Sequence, residues 1–396
     1  MKPLSQTAMA EATRLTTEGR LDEAMALLRG AVSGASLAPS SEADFEPQPA
    51  PPKARQFIDM VPPSPATGGC WTSPLYAAAD DGSARESTRI FPGLRPRTQP
   101  DRRAPILPKG ARFEQLAFAN EAGSRDYKLY VPSSFTDQPV PLVMMLHGCT
   151  QSPDDFAAGT RMNLLAEEFG FLVAYPAQPK SSNPSKCWNW FRPGDQRRGR
   201  GEPALIAGIA QQIAKDYPIA RSQIYVAGLS AGGAAAAIIG GAYPDIFAAV
   251  GVHSGLACGA ASDIPSAFSA MRQGDSRPIP HRQTSSSRPV PTIVFHGDRD
   301  STVSPVNGNQ VIAQARAGAD LTRTVDSGQS LGGIKYTCVS ETDQDGRTVL
   351  EHWTLHGYGH AWSGGSADGS YTEPRGPDAS REMIRFFLRH RSSDGE

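Results

Sequence analysis

Three residue types that together perform nucleophilic catalysis fall in a suggestive order along this chain. Gly228-Leu229-Ser230-Ala231-Gly232 joins a short apolar run, Ile224-Tyr225-Val226-Ala227, to an alanine-rich stretch from Gly233 to Ala242. A strand turning sharply into a helix through G-x-S-x-G exposes its serine in a strained turn, where larger neighbours would collide. The pattern alone is weak, since chance supplies roughly 0.3 copies in a chain of this length and composition. A second match, Gly328-Gln329-Ser330-Leu331-Gly332, follows the polar stretch Thr322–Ser327 and precedes a strand-like Ile334-Lys335-Tyr336-Thr337. It lacks a strand before and a helix after, and reads as a glycine-rich loop. Ser230 is the candidate nucleophile.

A serine hydroxyl needs a base within hydrogen-bond reach, itself oriented by an acid. After the apolar run Thr292–Phe295 comes His296-Gly297-Asp298-Arg299-Asp300, and after a strand ending near Leu355 comes Gly357-Tyr358-Gly359-His360-Ala361-Trp362. The order Ser, Asp, His suits this kind of site. Asp300 is favoured as the acid because it lies further into its loop, whereas Asp298 is placed to brace the turn. His360, on a loop between glycines and aromatics, is the base. His253 and His296, at strand ends, read as satisfied groups supporting the site, and His352 and His356, on or at the end of the strand after the acid, as packed structural histidines. The developing oxyanion needs preorganised N–H donors. Ala231, which follows the nucleophile, supplies one; Cys149, in His147-Gly148-Cys149-Thr150 after an early apolar run, supplies the other through its backbone. Trp188, Trp190 and Phe191, with Trp362, are candidate substrate-binding aromatics. The competing reading of the first three is packing beneath their loop.

These residues are far apart in sequence, so a scaffold must gather them. Phe113–Ala119 and Tyr127–Val131 read as an opening pair of strands. Pro141–Leu146, Phe171–Tyr175, Ile224–Ala227, Phe247–Val252 and Thr292–Phe295 are continuous apolar runs, as expected of strands covered on both faces. Helical stretches at Met162–Phe169, Ala204–Tyr217 and Ala231–Ala242 alternate with them, and a strand near Thr348–Leu355 and a helix near Ala379–His390 complete the series. The alternation predicts an α/β fold with a mostly parallel sheet and helices on both faces. Parallel strands deliver their carboxyl ends to one edge, where crevice sites form.

Outside residues 109–391, the expected catalytic domain, the texture differs. Residues 1–32 read as a helical hairpin turning at Gly19, with Ala8, Ala12 and Leu15 on one face and Leu21, Ala24, Met25 and Leu28 on another. Such a hairpin buries too little to stand alone, which points to docking or self-association; an unanchored terminus is the equal alternative. Residues 33–108, including Pro47-Gln48-Pro49-Ala50-Pro51-Pro52, read as a flexible linker whose least linker-like part is Cys70-Trp71.

Composition narrows the function further. The chain has 396 residues with 39 basic and 40 acidic side chains, so no global field suggests nucleic acid. The basic clusters Arg95–Arg103 and Arg192–Arg200 lack interleaved aromatics and read as solvated loops. No apolar run is long enough to span a bilayer, and the first residues lack a secretory pattern, which sets the expectation of a cytoplasmic protein. Five cysteines are too few for a disulfide scaffold. Cys149, Cys187 and Cys258 fall near the site, and one pair among them would bridge in an oxidising compartment; all five reduced is the expectation without a signal peptide.

Taken together, His147-Gly148-Cys149-Thr150-Gln151, the Gly228–Gly232 turn, His296-Gly297-Asp298-Arg299-Asp300, Gly359-His360-Ala361-Trp362 and Cys187-Trp188-Asn189-Trp190-Phe191 resemble the poly(3-hydroxybutyrate) depolymerase family of esterases. That family also contains feruloyl and acetylxylan esterases. The resemblance covers roughly residues 111 to 390, and its several motifs in order are more specific than any one alone. It implies an α/β-hydrolase fold, a Ser230–His360–Asp300 triad and ester hydrolysis without cofactor or metal. Two departures bear on the substrate: the chain shows neither the signal peptide nor the separate polymer-binding module usual in secreted depolymerases. Soluble oligomers or small esters are therefore expected at least as much as solid polyester. Aromatic or acetyl esters of plant polysaccharide are the enzymatic alternative, and a binding protein working through residues 1–32 the non-enzymatic one.

Overall fold

The structure is a computed structural model, and it describes residues 107–274, 290–316 and 318–392. The expected hairpin at 1–32, Cys70-Trp71 and nearly all of the expected linker lie outside the described residues. No described helix is long and apolar enough to cross a membrane.

The apolar runs form the middle of one ten-stranded sheet. Its strands are β1 (Arg112–Asn120), β2 (Gly123–Val131), β3 (Val140–Leu146), β4 (Leu172–Pro176), β5 (Ile219–Leu229), β6 (Ala249–His253), β7 (Thr292–Gly297), β8 (Thr322–Gln329), β9 (Lys335–Thr342) and β10 (Thr348–Leu355), in the spatial order β1-β2-β4-β3-β5-β6-β7-β10-β9-β8. The block from β4 to β10 is parallel throughout. Antiparallel pairs, β1–β2 on one side and β9–β8 on the other, close the two edges.

Alternate residues of the central strands feed two separate cores, which is why these runs are apolar without interruption. Leu142, Met144, Leu146, Val226, Val250 and Val252 join one core with α3 (Gly201–Asp216), α4 (Ala231–Ala242), α5 (Ile264–Gln273) and α6 (Val306–Arg316). Val143, Met145, Val173, Tyr225 and Ala227 join the other with α1 (Pro153–Thr160), α2 (Met162–Phe169) and α7 (Ala379–Phe387). A short parallel pair, β11 (Trp362–Ser363) with β12 (Thr372–Glu373), follows β10.

One local reading is corrected. The polar stretch Thr322–Ser327 is not a loop lead-in but most of β8, a nearly fully exposed edge strand that pairs only with β9. Ser330 sits in the turn of that hairpin, its N–H donating to the Ile334 carbonyl at 2.9 Å. A strand thus precedes the second G-x-S-x-G match, but another strand follows, so no helix N-terminus faces Ser330. Arg192–Arg200 is a surface loop in which Arg198 forks onto Asp245 and lies over the Tyr243 ring.

Candidate active site

Ser230 occupies the turn between β5 and α4 with φ +56° and ψ −118°. A non-glycine residue rarely adopts this backbone, and such outliers persist where the surroundings over-determine them. The two flanking glycines show how tightly the turn is packed. A Cβ on Gly228 would lie 2.4 Å from the Gly232 backbone, and one on Gly232 would lie 2.1 Å from the Leu146 carbonyl oxygen. Helix α4 therefore starts hard against the ends of β3 and β5, with the Ala231 N–H in its first turn, where amides have no intrahelical acceptor.

Neighbouring strand ends are stitched together along this rim. The Ser230 N–H donates to the His253 carbonyl (2.9 Å), the Ser254 N–H to Phe295 (2.9 Å), and the Asp298 N–H to Leu355 (3.0 Å). Asp300 lies in the turn after β7, where its Oδ1 accepts from the N–H groups of Thr302 (2.9 Å) and Val303 (2.8 Å). Its Oδ2 lies 2.6 Å from His360 Nδ1 and 3.5 Å from His296 Nε2. Burial alone would raise the Asp300 carboxyl; the His360 charge, with hydrogen bonds from His296 and His360, outweighs it and holds the group well below the usual carboxylate range. Asp300 is therefore a buried, ionised acceptor that fixes the proton of His360 on Nδ1 and leaves Nε2 as the basic nitrogen.

The other acid and the other histidines have different partners. Asp298 is partly exposed and braces the β10 end, accepting from the Gly357 N–H (2.7 Å) and facing His356 Nδ1 at 3.0 Å. His253 is fully buried between Phe295 and Trp362, and its Nε2 accepts from the Ser363 N–H at 3.1 Å. Burial drives its imidazole well below its ordinary pKa, with the charges of His296 and His360 adding to the effect. It is a neutral post between the Ser230 backbone and the loop that follows His360.

The loop after β3 carries the other candidate oxyanion donor. The Gly148 N–H is held by Gln151 Oε1 (2.9 Å) and the Thr150 N–H by the Ser185 carbonyl (2.7 Å), while the Cys149 N–H between them has no partner among the described residues. Cys149 is disulfide-bonded to Cys187. The expectation that all cysteines are reduced is thus corrected: two loops that sequence separates by 38 residues meet here. Cys258 and Cys338 are buried and lie outside this bridge, so Cys258 is not the bridging partner.

The aromatics proposed for substrate binding divide. Trp362 is fully buried, packs on Phe156 and His253, and donates from Nε1 to Ser380 Oγ at 3.0 Å. Trp188 is also fully buried, its Nε1 donating to the His147 carbonyl at 3.0 Å. Neither presents a surface to a ligand, and both assignments are withdrawn: each ring is used to fasten a site loop to the core. Trp190 is buried edge-on against Phe191, which alone of the four keeps a partly exposed face.

Sequence reasoning missed a buried polar hub behind these loops. Glu202 accepts from Gln178 Nε2 (2.6 Å) and from the Asn189 N–H and Nδ2 (both 2.7 Å), with Arg125 at 3.6 Å. Burial raises its carboxyl, and the nearby Asp195 charge adds to that, while Asn189, Gln178 and Arg125 oppose it. A lone glutamate at the start of an apolar helix was the available signal.

With this geometry in view, comparison with known proteins is informative. The Esterase PHB depolymerase family matches residues 125–327. The chain belongs to that family. The PHB depolymerase-family chain is 32% identical over 251 residues to poly(3-hydroxyalkanoate) depolymerase C of Paucimonas lemoignei, an alignment spanning 61% of this chain and 60% of that protein. It is 31% identical over 236 residues to feruloyl esterase B of Thermothelomyces thermophilus, spanning 55% and 79% of the two chains. Among solved structures, the acetyl xylan esterase from Aspergillus awamori superposes with a TM-score of 0.56 at 22% identity, over 70% of this chain and 99% of that one. This last likeness establishes the α/β-hydrolase fold.

Proposed function

We propose that this family member is a serine carboxylic-ester hydrolase acting on short-chain hydroxyalkanoate oligomers or related small esters. The observation that carries the reading is the 2.6 Å contact of Asp300 Oδ2 with His360 Nδ1, on the rim where Ser230 stands in its strained turn. In the proposed cycle His360 Nε2 takes the Ser230 proton as Oγ attacks the ester carbonyl. The oxyanion is received by the N–H groups of Ala231 and Cys149. His360 then protonates the leaving alcohol and next activates the water that frees the acyl group.

Replacing Ser230 with Ala tests this directly. Turnover of a p-nitrophenyl acyl ester should fall by about four orders of magnitude or more, and labelling by a fluorophosphonate should vanish, with the circular dichroism spectrum unchanged. Undiminished turnover would remove Ser230 from the mechanism.

The similarity to feruloyl esterase B supports a second substrate class. Parallel assays on hydroxybutyrate oligomers, methyl ferulate and acetylated xylan separate the two. The Cys149–Cys187 disulfide supports residence in an oxidising compartment over the cytoplasm, and fractionation of cells producing the full chain tests that location.

A further inference from the structure

The loop that follows His360 and the loop that carries the Cys149 N–H are joined by one buried carboxylate. Asp155 stands in the first turn of α1, the helix directly after the oxyanion loop, and both it and Gln151 are buried. Asp155 Oδ1 accepts from the Ser370 N–H at 3.1 Å. Its Oδ2 accepts from Gln151 Nε2 at 3.0 Å and from the Ser370 hydroxyl. Ser370 lies between β11 and β12, and its carbonyl also accepts from Gln151 Nε2 at 3.0 Å. Backbone contact supports the bridge from behind. A Cβ on Gly369 would lie 2.3 Å from Gly159 Cα, and the Ser366 N–H donates to the Gly159 carbonyl at 2.7 Å.

Gln151 passes this constraint to the oxyanion loop. Its Nε2 faces acceptors on Asp155 and Ser370, which turns Oε1 to the Gly148 N–H, 2.9 Å away. An ionised carboxylate only accepts, so Asp155 fixes the orientation of the Gln151 amide much as Asp300 fixes the proton of His360. The Gly148 carbonyl lies 2.7 Å from His147 Nδ1, which carries the ring proton because Nε2 accepts from the Gln178 N–H. Gly148 has no side chain to restrain its dihedrals, so these two contacts set the planes of its peptides. In a trans peptide the N–H points opposite the carbonyl, and the Cys149 N–H is aimed accordingly. A donor that must meet a developing charge at hydrogen-bond distance loses most of its effect when displaced by about an ångström.

We propose that Asp155 is a positioning residue for ester hydrolysis: by holding Ser370 and Gln151 together it locks the loop after His360 to the loop after β3 and keeps the Cys149 N–H aimed at the oxyanion. This inference rests on the esterase reading of the same site. Asp155 acts through Gln151 rather than on the ester. Asp155→Asn keeps the shape but places a donor where acceptors are needed. Either orientation of the new amide sets N–H against N–H, at the Ser370 backbone or at Gln151 Nε2. The backbone contact between Gly159 and Gly369 persists, so the loss falls on the direction of the donor and not on the fold.

The test is steady-state hydrolysis of p-nitrophenyl acetate by the full chain, wild type and variants, with binding of a trifluoromethyl ketone, which forms a tetrahedral oxyanion on the serine. Turnover by the wild type is the control on the esterase reading itself, so the two failures are distinguishable. In Asp155→Asn, kcat should fall about 10- to 100-fold while KM stays within about twofold. The ketone should bind more weakly by the same factor. Gln151→Met should show the same loss, and the double variant should be no worse than the more impaired single one, because the two residues act in series. If Asp155→Asn fails to fold, Gln151→Met and Ser370→Ala decide in its place; the latter removes only the hydroxyl donor to Asp155 and should give a smaller fall in kcat. A wild-type kcat in folded Asp155→Asn overturns the proposal. So does a loss confined to KM or to thermal stability, or losses that multiply in the double variant.

Discussion

Asp300 Oδ2 stands 2.6 Å from His360 Nδ1 although 60 residues separate them in the chain, and both side chains are almost wholly buried. The contact sets the tautomer of His360 before any substrate arrives. Asp300→Asn keeps the shape but presents an amide that donates as readily as it accepts, which favours the wrong tautomer. Its kcat should fall by roughly 10⁴ with little change in KM, measured with the same p-nitrophenyl ester. Because the carboxyl is held well below its ordinary range, its contribution to stability is present above about pH 4 and is lost only as pH falls further. An Asn variant with wild-type kcat would leave the contact without a catalytic role.

His147 makes a pH-dependent prediction of the same sign in a higher pH window. Nδ1 lies 2.7 Å from the Gly148 carbonyl and Nε2 accepts from the Gln178 N–H, so one neutral tautomer satisfies both neighbours. Burial, opposed by the hydrogen bond to Gly148, pushes the imidazole down to about 4. The unfolded chain titrates near 6.5. Between these values the unfolded state binds more protons, so stability is full above about pH 6.5 and declines as pH falls toward 4. The slope from this group should approach about 1.4 kcal/mol per pH unit. Denaturant midpoints at several pH values will show it, and His147→Gln should flatten the curve; an identical slope in the variant would clear His147 of the effect.

Gly232 is required by space. Its missing Cβ would enter the Leu146 and His147 carbonyls at 2.1 and 2.6 Å. Gly232→Ala must push α4 off the end of β3, which displaces the Ala231 N–H. A destabilisation of about 1–3 kcal/mol and near-complete loss of turnover should result. Gly194→Ala is the control, since nothing lies within 4 Å of its added carbon. Thermal melts and initial rates of both variants measure the contrast; equal behaviour would refute the packing argument.

How much of this was legible beforehand depended on whether the signal was local. The central strands were readable because burial on both faces leaves no polar alternation to confuse the pattern, and Thr348–Leu355 was placed at its observed bounds. Edge strand β8 escaped because an exposed strand needs no apolar residues, only a partner, and Thr322–Gln329 advertises none. In the site, Ser230, Asp300 and His360 were readable as strand-end residues in a fixed order. The aromatics misled because a tryptophan beside a catalytic loop looks alike whether it faces a ligand or the core; Trp362 became core because Ser380, on α7, captures its N–H. The Cys149–Cys187 bond and the Glu202 hub are contacts between distant loops, and no spacing rule announces them.

His296 yields the last prediction, because it touches the same carboxylate oxygen as His360. Its Nε2–H donates to the Val303 carbonyl at 2.8 Å and lies 3.5 Å from Asp300 Oδ2. This ring therefore shapes the turn that presents Asp300 and also draws on its charge. Removing the donor concentrates charge on the oxygen facing His360 and favours the protonated imidazole there. In His296→Leu the acid limb of kcat/KM should move to higher pH by up to about one unit, with kcat reduced roughly tenfold. His296→Gln retains a donor and should restore much of both. Denaturation of each variant tracks the structural part of the loss separately, since a ring that merely filled space would lower stability and leave the pH profile where it was. A wild-type profile in the Leu variant would assign His296 to the scaffold alone.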